Sequence, residues 1–225
     1  MIITDYHCHI LPNFDDGADS PETSLAMIER MKNQGVGRII ATPHFYAHNE
    51  ESVDEYIIRR EKAFDIIMKS NPAIENIRLG AEITIENGIS SIKGIEKLAF
   101  QGTDYILLEL PFRNYSRWIT DEIYNISCRS GLKVILAHIH RYREIYDKSQ
   151  MAEILDMDTV LQVNNGAFRS LGSRIFINKL IKSGHKIIFG SDCHNMTTRP
   201  PDWDILIKRV KPEIIEKSNN LIKFA

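Results

Sequence analysis

No apolar run in this chain approaches the ~20 residues that cross a bilayer, so membrane insertion is not expected. Cysteine is scarce: Cys8, Cys128 and Cys193, with no C-x-x-C pair. Three such thiols cannot build the disulfide framework of a small secreted domain. The first residues lack the basic stretch and apolar core of an export signal, because strand-like residues lead straight into His7. A cytoplasmic protein is therefore expected, in which the sequons at Asn125 and Asn195 carry little meaning. Charge of one sign is missing too. A net charge of -2 leaves no electrostatic case for nucleic acid or an anionic membrane. Basic pairs such as Arg59-Arg60 sit among acids on a predicted helix and read as a solvated face. Low-complexity tracts, linkers and internal repeats are absent as well.

What is present is an ordinary globular composition. The chain has 225 residues, 43% apolar and 26% charged, which fits one domain spanning residues 1–225. A strand from Met1 to Tyr6 opens it. Ser20 and Pro21 then signal a helix start, with Leu25, Ile28 and Met31 on one face and Gly35 at its end. Strands are expected at Val36 to Ala41, Ile77 to Ala81, Asp104 to Leu108, Lys133 to Ala137, Thr159 to Val163 and Lys186 to Phe189. Between them lie predicted helices. A long one covers Val53 to Ser70, with Ile57, Phe64, Ile67 and Met68 inward, and Asn71-Pro72 breaks it. Others fall at Trp118 to Gly131, Ser149 to Leu155, Ile175 to Ile181, Asp204 to Val210 and Glu213 to Phe224. Ile85 to Phe100 has mixed periodicity and no clear assignment. About seven strands alternating with helices imply parallel βα units.

The histidines decide between an open doubly wound sheet and a barrel. Six of eight (His7, His9, His44, His138, His140, His194) lie just after strands. His48 and His185 fall elsewhere and read as surface or structural. His7 and His9 are spaced i, i+2, which puts both imidazoles on one face of an extended backbone. Nearly every strand ends in a side chain able to ligate a metal: His7/His9, His44, Glu82, Glu109, His138 and Asp192/His194. In an open sheet these ends spread along a line, whereas in a barrel they ring one mouth. The expected fold is therefore an α/β barrel. So many polar groups at one end of an apolar core are costly to desolvate unless cations bind them. Their number exceeds what one ion uses, so two or three divalent ions are expected. A carboxylate such as Glu82 can bridge ions, which in such clusters lie ~3.5–4 Å apart. Nitrogen and oxygen donors without thiolate permit Mn, Fe or Zn.

The motifs YHCHILPNFDDG, ATPHF, GAEI, LLELPF, LAHIHRY and FGSDCHNMTTRPPDW stand in this order over almost the whole chain. Together they resemble the PHP-domain bacterial protein-tyrosine phosphatases of capsule and exopolysaccharide operons. The resemblance implies a distorted, TIM-like (β/α)7 barrel (the PHP fold) with a trinuclear centre, usually supported by manganese. It implies phosphotyrosine hydrolysis, notably on a tyrosine kinase that drives polysaccharide assembly. Carried over by position, it implies metal ligands at His7, His9, Asp16, His44, Glu82, Glu109, His138, Asp192 and His194. Chemistry alone does not choose between Asp15 and Asp16; only the motif does. It also implies that Arg141 and Arg199 bind phosphate, for which guanidinium forks are suited. A metal-bridging hydroxide would attack phosphorus in line with the leaving phenolate. The metals and arginines would neutralise the equatorial oxygens. His140 departs from the family, which often carries Glu there; a proton donor, an extra ligand and a space-filler all remain open. Phe45, Tyr46, Phe112, Tyr115 and Trp118 lie in or near loops after strands, where each could wall a tyrosine slot or simply pack.

Four rivals stand against this reading. A PHP-type small-molecule phosphomonoesterase, such as a histidinol-phosphate phosphatase, would share the metals and differ in substrate. A non-catalytic metal module could bind phosphotyrosine without turning it over, though such a binder needs no complete ligand set. A nucleic-acid exonuclease of the same superfamily lacks its basic track. Cys193 and Arg199 also spell the C-x5-R of cysteine-dependent phosphatases, where a thiolate attacks phosphate. Here the intervening residues include no glycine, and Cys193 lies between two candidate ligands. Cys193→Ser should therefore keep most phosphatase activity, whereas His138→Ala or Asp192→Ala should abolish it. The opposite pattern in a steady-state assay would discard the metal mechanism.

Overall fold

The computed structural model describes residues 2–49, 52–71, 76–113 and 115–224. In chain order the elements are β1 (Ile3–Cys8), α1 (Pro21–Asn33), β2 (Val36–Ala41), β3 (His44–Phe45), α2 (Val53–Ser70), β4 (Ile77–Leu79) and β5 (Glu82–Thr84). Then follow β6 (Tyr105–Glu109), α3 (Trp118–Ser130), β7 (Lys133–Leu136), α4 (Lys148–Leu155), β8 (Val160–Asn164), α5 (Leu171–Lys182), β9 (Lys186–Gly190), α6 (Trp203–Arg209) and α7 (Pro212–Asn219). Every strand pair is parallel, in two sheets of order β1-β2-β4 and β3-β5-β6-β7-β8-β9.

Two sheets arise where one was expected because two strands break. The run through β2 and β3 is interrupted at Thr42-Pro43, where proline has no N–H to offer a ladder. The run through β4 and β5 is interrupted at Gly80-Ala81, so the strand expected to reach Ala81 stops at Leu79. A Cβ on Gly80 would lie 2.6 Å from the Phe100 ring, so only glycine lets the chain turn there. The breaks set His44 directly beside Glu82 in the β3–β5 register. No continuous ladder closes a barrel among the described residues. Instead β1 meets the turn after β9 through an isolated parallel bridge, Cys8 to Cys193. There Cys193 O accepts from His9 N (2.9 Å) and His7 O accepts from Asp192 N (2.7 Å). Buried Asp5 braces this seam, accepting from His7 N, Ser191 N and Trp203 Nε1.

The helices follow their local signals. Ser20 caps α1 by accepting from Thr23 N, with Pro21 in the first turn. The bounds of α2 are those read from sequence, with Ser52 accepting from Glu55 N. Its buried face is rotated from the expected one: Tyr56, Arg60, Ala63 and Ile67 are covered, while Ile57, Phe64 and Met68 are half-buried. The cause is Arg60, whose Nη1 donates to Gly80 O at 2.6 Å and turns that side of the helix inward. Asn71 closes the helix, and the expected breaker Pro72 lies outside the described residues. Residues 85–100 hold two short 3₁₀ segments, Ile89–Ser91 and Ile95–Leu98, whose threefold turn obscured their periodicity. The last helix ends at Asn219, before the expected Phe224.

A large apolar cluster lies between helices and strands, and a smaller one (Tyr6, Ile40, Leu107, Ile135, Val160, Ile188) lies between the strands. Leu107 and Glu109 share a strand face, as do Val160, Gln162 and Asn164. The apolar interior thus continues into polar side chains toward the strands' C-terminal ends. Gly190 sits at this junction, where a Cβ would lie 2.7 Å from His7 Cβ and 2.8 Å from His7 N. Gly190→Ala should destabilise the fold by about 1–3 kcal/mol, read as a lower urea midpoint at unchanged m-value. An unaltered midpoint would show that β1 and β9 are not held in this contact.

Candidate metal centre

The centre is built on Glu82, at the start of β5, whose side chain is 1% exposed. Its Oε2 lies 3.0 Å from His7 Nε2, 3.1 Å from His9 Nε2 and 3.3 Å from His44 Nδ1. Its Oε1 lies 2.9 Å from His138 Nε2. Around it the ligand atoms of nine residues fall into three groups, each within 4.8 Å: His9, Asp16, His44 and His194; His7, His9, Glu82 and Asp192; and Glu82, Glu109 and His138. These are the nine residues named from sequence, drawn from seven places along the chain. Asp16 is the exposed member, with Oδ1 3.4 Å from His44 Nε2 and 3.3 Å from His194 Nε2.

Hydrogen bonds around these side chains settle their tautomers. Gln162 Oε1 accepts from His138 N at 2.6 Å, so it must also accept from His7 Nδ1 at 3.2 Å. Asp15 Oδ2 takes the Nδ1 proton of His9 at 2.7 Å and also accepts from His44 N. His194 Nδ1 donates to Asp192 O at 3.0 Å. In its neutral form each of these rings presents a bare Nε2. The Nε2 atoms of His7 and His9 face each other at 3.2 Å, both directed at the Glu82 carboxylate. Lone pairs and a carboxylate converging in this way repel unless a cation stands among them. His194 Nε2 is buried without a hydrogen-bond partner, as are His44 Nδ1 and His138 Nδ1. The donor set and the orphaned His194 Nε2 and His44 Nδ1 fit divalent ions of the Mn, Fe or Zn type.

The electrostatics agree. Burial opposes ionisation of Glu82, but the imidazoles of His7, His138 and His9 outweigh it and hold the carboxyl well below its usual range. Burial likewise opposes a charge on His9, yet Asp15 and Glu82 raise it well above the ordinary histidine value. Asp192 is lowered despite its burial, through His7 and Arg141. Burial and His9 push His194 down to about 3, and burial and His138 do the same to His140. His140 is close to its neighbours' charges but outside the three groups, with Nδ1 unpartnered.

The two arginines converge on one carboxylate. Arg141 Nη2 donates to Asp192 Oδ2 at 2.6 Å, and Arg199 Nη2 to Asp192 Oδ1 at 2.7 Å. Both stay about one third exposed and line a cavity of about 710 Å³ with His140, Asn164, Arg169 and Asp202. The backbone is strained where it delivers ligands: His138 (φ +29°) and Asp192 (φ +52°) lie in the left-handed region that non-glycine residues avoid. Gly17 is needed beside them, since its Cβ would lie 2.3 Å from His9 O. Of the aromatics open from sequence, Phe45 is buried, Tyr115 and Trp118 pack partly against the core, Tyr46 stacks on His44, and Phe112 stays exposed over His138.

Sequence reasoning missed the orienting residues Asp5, Gln162 and Asn164. Asn164 Nδ2 donates to Asp192 Oδ2 and its Oδ1 accepts from Gln162 Nε2. The available signal was two amides spaced i, i+2 inside an apolar strand. Gln162→Ala should leave the fold intact and weaken divalent-metal affinity roughly 10- to 100-fold, measured by competition with a chromogenic chelator. Undiminished affinity would mean that this amide does not set the His7 tautomer.

A sequence model of the family described as "Capsular polysaccharide synthesis, CpsB/CapC" matches residues 3–224. The tyrosine-protein phosphatase YwqE of Bacillus subtilis (strain 168) is 30% identical over 204 residues, covering 87% of this chain and 78% of that protein. The tyrosine-protein phosphatase CpsB of Streptococcus pneumoniae is 26% identical over 232 residues, covering 91% and 90%. A solved structure from work on YwqE and CpsB, described as unique metal-dependent tyrosine phosphatases, superposes with a TM-score of 0.79 at 23% identity, covering 96% of this chain and 90% of that one. At that identity the likeness bears on the fold.

Proposed function

Because the chain belongs to the CpsB/CapC family of capsular polysaccharide synthesis, we propose that it is a metal-dependent protein-tyrosine phosphatase. Its substrate is a phosphotyrosyl protein, in this reading a bacterial tyrosine kinase that regulates capsule or exopolysaccharide synthesis. The working unit is one domain with the strand order of a distorted (β/α)7 barrel, acting in the cytoplasm. The observation that supports the reading best is the bare Nε2 atoms of His7 and His9 facing each other across the buried Glu82 carboxylate.

His7, His9, Asp16, His44, Glu82, Glu109, His138, Asp192 and His194 would hold two or three divalent ions, manganese in this proposal. Bound there, such ions supply Lewis acidity and an acidified water at neutral pH. The remaining work falls to the chain. Arg141 and Arg199 each donate to one oxygen of Asp192 and line the cavity with about one third of each side chain exposed. They bind the phosphoryl oxygens and stabilise the charge that builds there in the transition state. Asn164 shares Asp192 with Arg141 and fixes its rotamer. His140, kept neutral by burial, carries no proton to give near neutral pH. None is required, because a tyrosyl oxygen leaves with a pKa of ~10.

The test is turnover of a phosphotyrosyl peptide by the purified chain. Activity should vanish with chelator and return with manganese, and should exceed that on histidinol phosphate. Arg141→Ala and Arg199→Ala should each lower kcat/KM roughly 10²- to 10³-fold with bound metal retained. Metal binding without turnover would favour a binding module instead, and a preference for histidinol phosphate would favour the small-molecule enzyme.

A further inference from the structure

The arginine cavity accounts for the phosphate end of a phosphotyrosyl side chain, but its lining is mostly polar and includes no phenylalanine, tyrosine or tryptophan. The phenyl ring needs a different neighbour. Phe112 is 50% exposed, unusual for a large apolar ring. It does not lie loose on the surface. One side stacks on His138 (centroids 5.6 Å apart, 30° between planes) and on Tyr142 (5.1 Å, 29°). The backbone leading to it is pinned twice, as Leu110 O accepts from Tyr142 Oη at 2.9 Å and Pro111 O from Tyr146 Oη at 2.6 Å. It stands three residues after Glu109, so the strand that delivers a candidate ligand also delivers this ring to the rim.

We propose that Phe112 is the ring-binding wall of the substrate site, stacking on the phenyl group of phosphotyrosine and setting a preference for aryl over alkyl phosphates. The proposal rests on the phosphatase reading above. A ring already fixed in place loses little freedom when it binds, so its contact area converts efficiently into affinity. Offset or edge-on contact between two rings adds to area burial alone. Tyr46 stacks on His44 at the other end of the cluster (5.1 Å, 28°), but it is half-buried and lines a smaller cavity of about 350 Å³ beside Asp16 and Arg59. Phe112 offers the more open face.

The measurement is the affinity of manganese-loaded protein for phenylphosphonate and for methylphosphonate, by titration calorimetry. The wild type should prefer the phenyl compound, and Phe112→Ala should cut that preference roughly 3- to 10-fold while methylphosphonate binding holds. Phe112→Tyr should restore the preference. Phe112→Leu serves if the alanine variant does not fold, and should fall in the same direction. Altered metal loading would change both affinities and leave their ratio alone. With phosphotyrosyl peptide the same variants should raise KM more than they lower kcat. An unchanged ratio in Phe112→Ala, or a loss confined to Tyr46→Ala, overturns the proposal. A wild type that prefers phenylphosphonate yet fails to hydrolyse the peptide would refute turnover and leave the ring wall standing.

Discussion

A carboxylate with 1% of its side chain exposed, surrounded at about 3 Å by the nitrogens of four imidazoles, cannot rest in water-free surroundings without positive charge. The arrangement around Glu82 constrains everything else in this protein. Four carboxylates meet there (Asp16, Glu82, Glu109, Asp192), and the guanidiniums of Arg141 and Arg199 both pair with Asp192. Hydrogen bonds donated to Asp15, Gln162 and the Asp192 carbonyl place the ring protons on the far side of three histidines. Lone pairs are thereby directed inward. A protein that held only protons here would have no need of this outer layer.

The scaffold bears costs that make sense only at such a centre. His138 and Asp192 take left-handed backbone angles, each at about 1–3 kcal/mol. Gly17 and Gly190 let the chain pass closer to His9 and His7 than any side chain would allow. The breaks at Thr42-Pro43 and Gly80-Ala81 give up ladder hydrogen bonds, yet they bring His44 level with Glu82. Strand β1 and the turn after β9 are joined by few backbone contacts, with Asp5 bracing them from below. Local regularity is traded for convergence at one rim.

Much of this was legible in the sequence, for a physical reason. A buried parallel strand reads as a short apolar run, and ligand-type side chains standing just after such a run are conspicuous. That is how His44, Glu82, Glu109 and His138 stood out. The bounds of α2 were readable because its apolar residues recur at helical spacing and Asn71-Pro72 breaks the run. Its inward face was not, because an arginine turned toward a carbonyl looks in sequence like an arginine turned toward water. Gln162 and Asn164 were missed for the same cause: an amide inside a strand carries no mark of what it will bond. The strand breaks depend on how Phe100 packs against Gly80, a contact between residues twenty apart. The choice of Asp16 over Asp15 came from resemblance alone, and the geometry gives the two acids different neighbours: Asp15 orients His9, while Asp16 faces His44 and His194.

The central claim is that these nine side chains exist to hold cations. The most direct measurement is a crystal grown with manganese, with anomalous scattering recorded at the metal's absorption edge. Two or three anomalous peaks within the groups around Glu82 are predicted, with the Nε2 atoms of His7, His9 and His194 directed at them. Peaks elsewhere, or none while the same side chains turn away from one another, would contradict the account.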